Sequence, residues 1–161
     1  MKKNLLLLLI GTTVLTAGCE NVKNESKEEN NSGTLTCTKE SKNEDGYNEK
    51  DTMVVTYSNN KVTQVNETNI QEMDPTVVDF TISLGQAFAK SLSTLDGFNV
   101  NYSKESDNSV KYTISVDYSK LDSEKLKEAY GDSFDENSFY ANSNITISDF
   151  KDKNLSDYTC E

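Results

Sequence analysis

The strictest pattern in this 161-residue chain is an alternation of apolar and polar side chains over residues 109–119, SVKYTISVDYS. The apolar members are Val110, Tyr112, Ile114, Val116 and Tyr118. The polar members between them are Lys111, Thr113, Ser115 and Asp117. Successive side chains of a strand point to opposite faces, so such a strand buries one face and leaves the other in water. The pattern predicts an antiparallel sheet that is packed on one side.

Four further segments have strand composition. They are residues 34–40 (TLTCTKE), 52–58 (TMVVTYS), 61–70 (KVTQVNETNI) and 98–104 (FNVNYSK). Asn59 and Asn60 predict a two-residue hairpin turn, because Asn tolerates the left-handed backbone. Val62 and Val65 break the alternation of the return strand, which indicates a bulge. The C-terminal SDYTCE is expected to return beside the first strand.

A long helix is predicted over residues 75–95. Asp74 is a favourable cap, Pro75 suits the first turn, and the Asp96-Gly97 pair ends the segment. The apolar residues that recur at helical spacing are Val77, Phe80 or Thr81, Leu84, Phe88, Leu92 and Leu95. We expect this stripe to pack on the apolar face of the sheet.

The C-terminal part of the chain adds shorter helices. One is predicted over residues 122–130 and ended by Gly131, and another around residues 149–155. NITIS (144–148) predicts either a short strand or the start of that last helix. Residues 34–161 are therefore expected to form one two-layer α+β domain: an antiparallel sheet of five or six strands, with one long helix and one or two shorter helices on one face.

The wet face of this sheet is a candidate binding surface. Its polar side chains on two neighbouring strands are Asn99, Asn101, Lys111, Thr113, Ser115 and Asp117. A flat polar face can dock an envelope protein or a glycan, and an exposed edge strand can pair with a partner. The alternative is a face that is merely solvated.

Residues 1–18 have the organisation of an export signal. Lys2 and Lys3 precede thirteen mostly apolar residues, 5–17. A helix that crosses a bilayer needs about 20 such residues. A basic start, a short apolar run and small residues at its end indicate a signal peptide that is removed.

The end of that segment, LTAGC (15–19), predicts a lipid anchor. Small residues before Cys19 fit a bacterial lipobox, in which the cysteine sulfur takes a diacylglycerol and the chain is cut before it. The commonest pattern has Leu three residues before the cysteine, where this chain has Thr16. We therefore expect a lipoprotein held on the extracytoplasmic side of the cell membrane by lipid on Cys19. An ordinary signal, with Cys19 left as a thiol or disulfide partner, is the alternative.

Three cysteines are an odd number for an exported protein. If Cys19 carries lipid, Cys37 and Cys160 remain as a pair, and a disulfide between them would staple the first strand to the last residues. Two reduced thiols and a redox-active pair are the alternatives. No C-x-x-C motif or His ligand supports the redox-active reading.

Residues 19–33 are expected to be the lipidated cysteine and a disordered tether. The stretch ENVKNESKEENNSG contains one large apolar residue, Val22, and cannot bury enough surface to order itself. The whole chain has 27 acidic against 16 basic residues and a net charge of −11. Nucleic acid and anionic lipid surfaces need a basic footprint, so we expect neither as a partner of the folded domain.

No catalytic signature is present in the sequence, and no cofactor is expected. The chain has no His and no nucleophile-elbow, P-loop or dinucleotide motif. Asp132, Asp135 and Glu136 offer oxygen ligands for calcium but lack the spacing of a calcium loop, so a solvated loop is expected. We predict a non-enzymatic binding or envelope-associated protein. The alternatives are a small acid-dependent hydrolase, since carboxylate pairs hydrolyse glycosides, and a weak calcium-binding module.

The order of elements resembles that of the YehR-like small bacterial lipoproteins. The shared layout is a lipobox, an acidic tether, a hairpin, one long helix, a second hairpin and a short C-terminal helical region. The closest local likeness is VDYSKLDSEKL (116–126). The resemblance covers most of residues 34–155. It implies the fold and the location, and it leaves the activity open because the family has none assigned.

Overall fold

The computed structural model describes residues 31–136, 138–142 and 144–161, and its strands all join one antiparallel sheet. The strands are β1 (Gly33–Lys42), β2 (Asn48–Ser58), β3 (Lys61–Glu72), β4 (Phe98–Ser106), β5 (Ser109–Asp117) and β6 (Thr159–Cys160). Their order across the sheet is β4-β5-β3-β2-β1-β6. The predicted signal peptide and Cys19 lie outside the described residues.

Three helices belong to the described part of the chain. They are α1 (Val78–Leu92), α2 (Ser123–Tyr130) and α3 (Ile147–Asn154), with short 3₁₀ turns at Gly131–Ser133 and Phe139–Ala141. The predicted α+β class, with a sheet of five or six antiparallel strands and one long and two shorter helices, is confirmed. Asp122 caps α2 by accepting a hydrogen bond from the Lys125 amide.

The hairpin between β2 and β3 forms where the sequence predicts it. Asn59 and Asn60 have φ values of 51° and 63°, the left-handed conformation that a tight turn demands. The predicted bulge is also present, because the ladder to β2 passes from Val62 to Gln64 and skips Thr63. The bulge lets both halves of β3 keep their apolar residues on the same face.

Strands β1 and β2 are longer than predicted, and the loop between them is only residues 43–47. Residues 48–51 look like loop by composition, yet all four pair with β1, and residues 49–51 also pair with β3. Asp51 stands opposite Lys39 and Asn69 in these two ladders. Pairing on both sides overrides the low strand propensity of charged residues. The extension brings two acids, Glu49 and Asp51, into the sheet.

Helix α1 is shorter than predicted and begins three residues later. Asp74 caps a turn and not the helix: its Oδ1 accepts a hydrogen bond from the Thr76 amide at 2.8 Å, and its carbonyl accepts from the Val77 amide at 3.1 Å. At the other end the helix stops at Leu92. A further turn then leads to Gly97, whose φ of +75° suits glycine.

The predicted stripe packs on the core only at its C-terminal end, where Leu92 is buried and Leu95 is partly buried. Val78, Gly85 and Leu92 are buried and lie against β4 and β5. Gly85 permits the close approach, since a Cβ there would come within 2.4 Å of the Tyr102 ring. The predicted stripe residues that remain exposed are Val77, Phe80, Leu84 and Phe88. The prediction was wrong for these residues because helical spacing identifies an apolar stripe without showing what covers it.

The hydrophobic core lies between one face of the sheet and the three helices. Leu126 of α2 and Phe150 of α3 are fully buried there against sheet residues such as Val55, Val65 and Val116. The predicted return of the C-terminus is confirmed: β6 pairs with β1 and places Cys160 opposite Cys37, and the two form a disulfide. The face of the sheet that the helices cover is called the inner face below, and the opposite face is called the outer face.

Candidate functional site

The polar residues predicted as a binding face do share one face of the sheet, the outer face. Asn99 stands opposite Ser115 and Asn101 opposite Thr113 in the β4–β5 ladder. Lys111 and Asp117 belong to the same face, because they alternate with Thr113 and Ser115 along β5. The β3 residues on this face continue the polar surface, with Gln64 opposite Asp117 and Asn66 opposite Ser115.

The two charged members of this face already have partners within the domain. Lys111 lies 3.9 Å from Glu105. Asp117 pairs with Lys120 at 2.8 Å and accepts a hydrogen bond from Ser119 Oγ at 2.6 Å. The hydrogen bonds from Lys120 and Ser119 lower the pKa of Asp117 to about 2. A shallow recess of about 220 Å³ lies on this face, lined by residues that include Gln64, Asn99, Ser115 and Asp117.

The inner face holds a feature that the sequence analysis missed, a cluster of carboxyl groups. We call Glu49, Asp51, Glu67 and Asn69 the carboxyl cluster. The β2–β3 register places Asp51 opposite Asn69. Glu67 stands opposite Met53, the next residue of β2 after Asp51 whose side chain points to the inner face. All four side chains therefore point to the same side as the core valines of β2 and β3.

Hydrogen bonds tie the carboxyl cluster to the C-terminal segment. Tyr158 Oη donates to Asp51 Oδ2 at 2.6 Å, and Asn69 Nδ2 donates to Glu49 Oε1 at 2.7 Å. Asn69 is only 2% exposed. The Oδ1 atoms of Asp51 and Asn69 are buried and accept no hydrogen bond from any described residue. A buried oxygen that accepts no hydrogen bond costs free energy of folding, so the cluster needs a further hydrogen-bond donor.

A proton on Glu67 supplies a donor to this cluster. Burial, followed by the charge of Asp51, a hydrogen bond with Asp51 and the charge of Glu49, raises the pKa of Glu67 to about 8. As two carboxylates, Glu67 and Asp51 have only acceptors, and one shared proton gives them a hydrogen bond. Burial also raises the pKa of Tyr112 and Tyr158, and the nearby carboxylate charges add to both shifts. At neutral pH Glu67 therefore holds a proton that it can donate to Asp51.

One signal in the sequence could have revealed the carboxyl cluster. Asp51 is in phase with Met53 and Val55, and Glu67 is in phase with Val65, so their alternation assigns them to the buried face. The predicted second strand begins at residue 52 and therefore excludes Asp51.

A cleft of about 650 Å³ lies beside the first half of α1. Its lining comes from the β1–β2 loop, the end of β3 and the start of α1, and includes Asn43, Asp45, Tyr47, Gln71, Val77 and Thr81. Gln71 is the next inward residue of β3 after Asn69, so the cleft begins where the carboxyl cluster ends. We call the exposed residues Val77, Phe80, Leu84 and Phe88 the α1 stripe. The α1 stripe and the cleft form the candidate binding site.

The α1 stripe has a closed end and an open end. Phe88 packs edge-on against Tyr130 of α2, with ring centroids 5.4 Å apart. Val77 lines the cleft at the opposite end. Thr81, half-buried, marks the flank of the helix that faces the cleft. The arrangement is an apolar ridge beside a polar recess.

The acidic loop considered for calcium makes an ion pair of its own. Glu136 lies 2.7 Å from Lys127, and that lysine lowers the pKa of the Glu136 carboxyl. Asp132 lies exposed in the turn Gly131–Ser133, and Asp135 lies in the loop that follows. Among the described residues, no group of three or more Asp, Glu, His or Cys side chains is arranged to hold a metal ion.

The helices of the described ranges were also compared with the length of a bilayer. None of α1, α2 and α3 is long and apolar enough to span a membrane.

Comparison with known proteins identifies the fold and no activity. No protein-family model matches the chain, and no curated protein matches it. An NMR structure of a protein from Streptococcus pneumoniae TIGR4 is similar over 96% of this chain and 99% of its own length, at 20% identity and a TM-score of 0.58. The NMR structure of the YehR protein of E. coli is similar over 82% of this chain and 92% of its own, at 12% identity and a TM-score of 0.58. The resemblance to YehR is confirmed at the level of the fold.

Proposed function

We propose that this protein is a lipid-anchored extracytoplasmic lipoprotein whose domain binds a partner and does not catalyse a reaction. The observation that carries the proposal is the disulfide between Cys37 and Cys160. It uses two of the three cysteines of the sequence, and the third is Cys19, at the end of the apolar run. A structural disulfide also favours an oxidising compartment outside the cytoplasm.

The domain starts close to the proposed anchor, which fits a tethered role. Asn31 O accepts a hydrogen bond from the Asn60 amide at 3.0 Å, and Ser32 Oγ bonds Ser58 Oγ at 3.3 Å. Eleven residues, 20–30, lie between Cys19 and Asn31 in the sequence. At roughly 3.5 Å per residue, such a linker reaches about 40 Å when extended. A partner would meet the domain within that distance of the membrane surface.

The anchor is tested by Cys19→Ser in the producing cell. We expect the variant to lose acylation and to leave the membrane fraction, or to accumulate unprocessed. The matched control is the double variant Cys37→Ser/Cys160→Ser, which keeps Cys19 and should remain acylated. Membrane retention of Cys19→Ser without any acyl group would overturn the lipoprotein proposal.

A binding role is supported by the exposed α1 stripe and by the polar side chains that share the outer face. Binding at the outer face and binding at the α1 stripe predict that different substitutions weaken capture of the partner. Charge changes at Lys111 or Asp117 should weaken capture of an envelope protein or glycan if the outer face binds. Leu84→Ser should weaken capture if the stripe binds. The measurement is retention of purified envelope proteins and glycans on the immobilised chain.

One observation favours a second candidate function, that of a carboxylate-dependent hydrolase. Glu67, whose pKa is raised to about 8, lies beside a second carboxyl group, Asp51, and acid–base hydrolysis uses such neighbouring carboxyl groups. Against this, Asp51 already accepts a hydrogen bond from Tyr158, and the half-buried ring of Tyr112 lies near both carboxyl groups. Hydrolysis of an envelope glycan that disappears in Asp51→Asn, while the chain stays folded, would replace the binding proposal.

A further inference from the structure

We propose that the α1 stripe and the cleft beside it bind a cationic amphipathic peptide segment. The proposal rests on the proposed function, since it names the partner class of the binding domain. It adds the surface that binds and the chemistry that is recognised.

The apolar part of the surface is unusually exposed for a helix of a small domain. The exposed fractions are 43% for Val77, 71% for Phe80, 63% for Leu84 and 38% for Phe88. From the first to the last, the stripe spans eleven helical steps, about 16 Å or three turns. Contiguous apolar surface of this kind marks interaction sites, and its length suits two or three turns of a partner helix.

The polar part of the surface carries one sign of charge. Residues 43–47 and 71–84, which contain the cleft and the first half of α1, include no lysine. The acidic residues on the side of the cleft are Glu44, Asp45 and Asp74, and Asp79 lies on the flank of α1 that faces β4. Glu72 points to the outer face, where it accepts hydrogen bonds from Asn48. The lysine nearest to Asp79 is Lys104, at 3.9 Å, and Lys104 is shared with Asp107 at 3.1 Å. A partner that covers the stripe must therefore bring positive charge to the rim.

Charge also argues against other occupants of the surface. A second copy of this chain would bring the same acidic rim against the first, and like charges across an interface are unfavourable. An anionic lipid surface is repelled for the same reason. A helical peptide with leucines on one side and lysines on the other would pack its leucines on the α1 stripe and place its lysines near the acidic residues beside it.

The direct test measures binding of a synthetic Leu/Lys amphipathic helix of 14 residues by fluorescence anisotropy. The protein is the mature chain, residues 19–161, with Cys19→Ser so that no acyl chain competes for the stripe. A Leu/Glu peptide of the same pattern is the charge control, and a scrambled Leu/Lys peptide is the pattern control. We expect the Leu/Lys helix to bind at least tenfold more tightly than either control, and its affinity to fall as salt rises.

Variants then locate the site. Leu84→Ser and Phe80→Ser should each weaken binding about tenfold, and their far-UV spectra should be unchanged because both side chains are exposed. Asp45→Asn/Asp79→Asn should weaken binding about fivefold at low salt. The matched control, Glu128→Gln/Asp152→Asn, removes two exposed acids from α2 and α3 and should have no effect.

Three outcomes would overturn the inference. They are equal binding of the Leu/Glu peptide, full binding by Leu84→Ser, and self-association of the chain that Leu84→Ser abolishes. Failure of acylation at Cys19 would leave all these measurements intact, so the anchor and the peptide site fail separately.

Discussion

The inner face of the sheet is built in two halves that share strands but not chemistry. In one half, valines such as Val55, Val65 and Val116 are fully buried beneath the helices. In the other half, the same strands β2 and β3 present the carboxyl cluster, closed by tyrosines and by the C-terminal segment. Both halves obey the same alternation. Alternation along a strand thus decides the face to which a side chain points. The helix or segment that covers that face decides whether the position is apolar and shielded from water.

The first prediction concerns the apolar half and has the largest expected effect. Phe150→Ala should lower the free energy of unfolding by about 3–5 kcal/mol, because the fully buried ring leaves a cavity among β-sheet valines. The measurement is urea unfolding of the oxidised protein at pH 7. Phe80→Ala, which removes the same ring from an exposed position, should change stability by no more than about 0.5 kcal/mol. Equal effects of the two would show that α3 does not cover the core.

The second prediction concerns the link that holds the C-terminal segment over the carboxyl cluster. Loss of the disulfide in Cys37→Ser/Cys160→Ser should cost about 2–4 kcal/mol, since the bridge closes a loop with a sequence separation of 123. Intact mass of the untreated wild type should rise by about 2 Da on reduction. An unchanged unfolding midpoint in the double variant would mean that β6 pairs with β1 unaided.

The third prediction concerns the proton of the carboxyl cluster. The folded chain keeps a proton on Glu67 up to a pKa of about 8, whereas the unfolded chain releases it near 4.5. Stability should therefore fall as pH rises from about 4.5 to about 8. Glu67→Gln, which keeps a donor at every pH, should match wild type near pH 5 and exceed it by about 2–3 kcal/mol at pH 8.5. The measurement is urea unfolding at pH 5, 6.5, 8 and 8.5.

The control for this pH effect is an acid shifted in the opposite direction. Lys127 lowers the pKa of Glu136, so its contribution is present above the ordinary pKa of 4.5 and is lost as pH falls. Glu136→Gln should thus weaken the protein slightly at neutral pH and converge with wild type in acid. A Glu67→Gln difference that does not grow with pH would contradict the shared proton.

The fourth prediction compares one substitution on the two faces of the sheet. Asn69→Ala on the inner face removes the hydrogen bond to Glu49 and should cost about 1–3 kcal/mol. Asn101→Ala on the outer face should change stability by at most about 0.5 kcal/mol, because that side chain is exposed. Both are measured by thermal unfolding at pH 7. A costly Asn101→Ala would show that the outer face is more than a solvated surface.

Much of the fold follows from local signals. The alternation over residues 109–119, the Asn59-Asn60 turn and the cap of α2 each depend on a few neighbouring residues, so the sequence by itself determined the hairpins, the second helix and the α+β class. The pairing of Cys37 with Cys160 also followed from the sequence, through the count of cysteines. Each residue of the candidate outer face could be predicted, because alternation along a strand fixes the face of the sheet to which a side chain points.

Only the tertiary structure decided which flank of α1 is covered and what the carboxyl cluster contains. The covered flank of α1 depends on the close approach of Gly85 to Tyr102. Helical spacing cannot predict this contact, because Tyr102 lies in a strand. The content of the carboxyl cluster depends on a register that sets Asp51 beside Asn69, and on Tyr158, which comes from 107 residues further along the chain. Local propensity cannot carry such information, because the burial of a group, and with it the pKa of Glu67, is a property of the assembled neighbours.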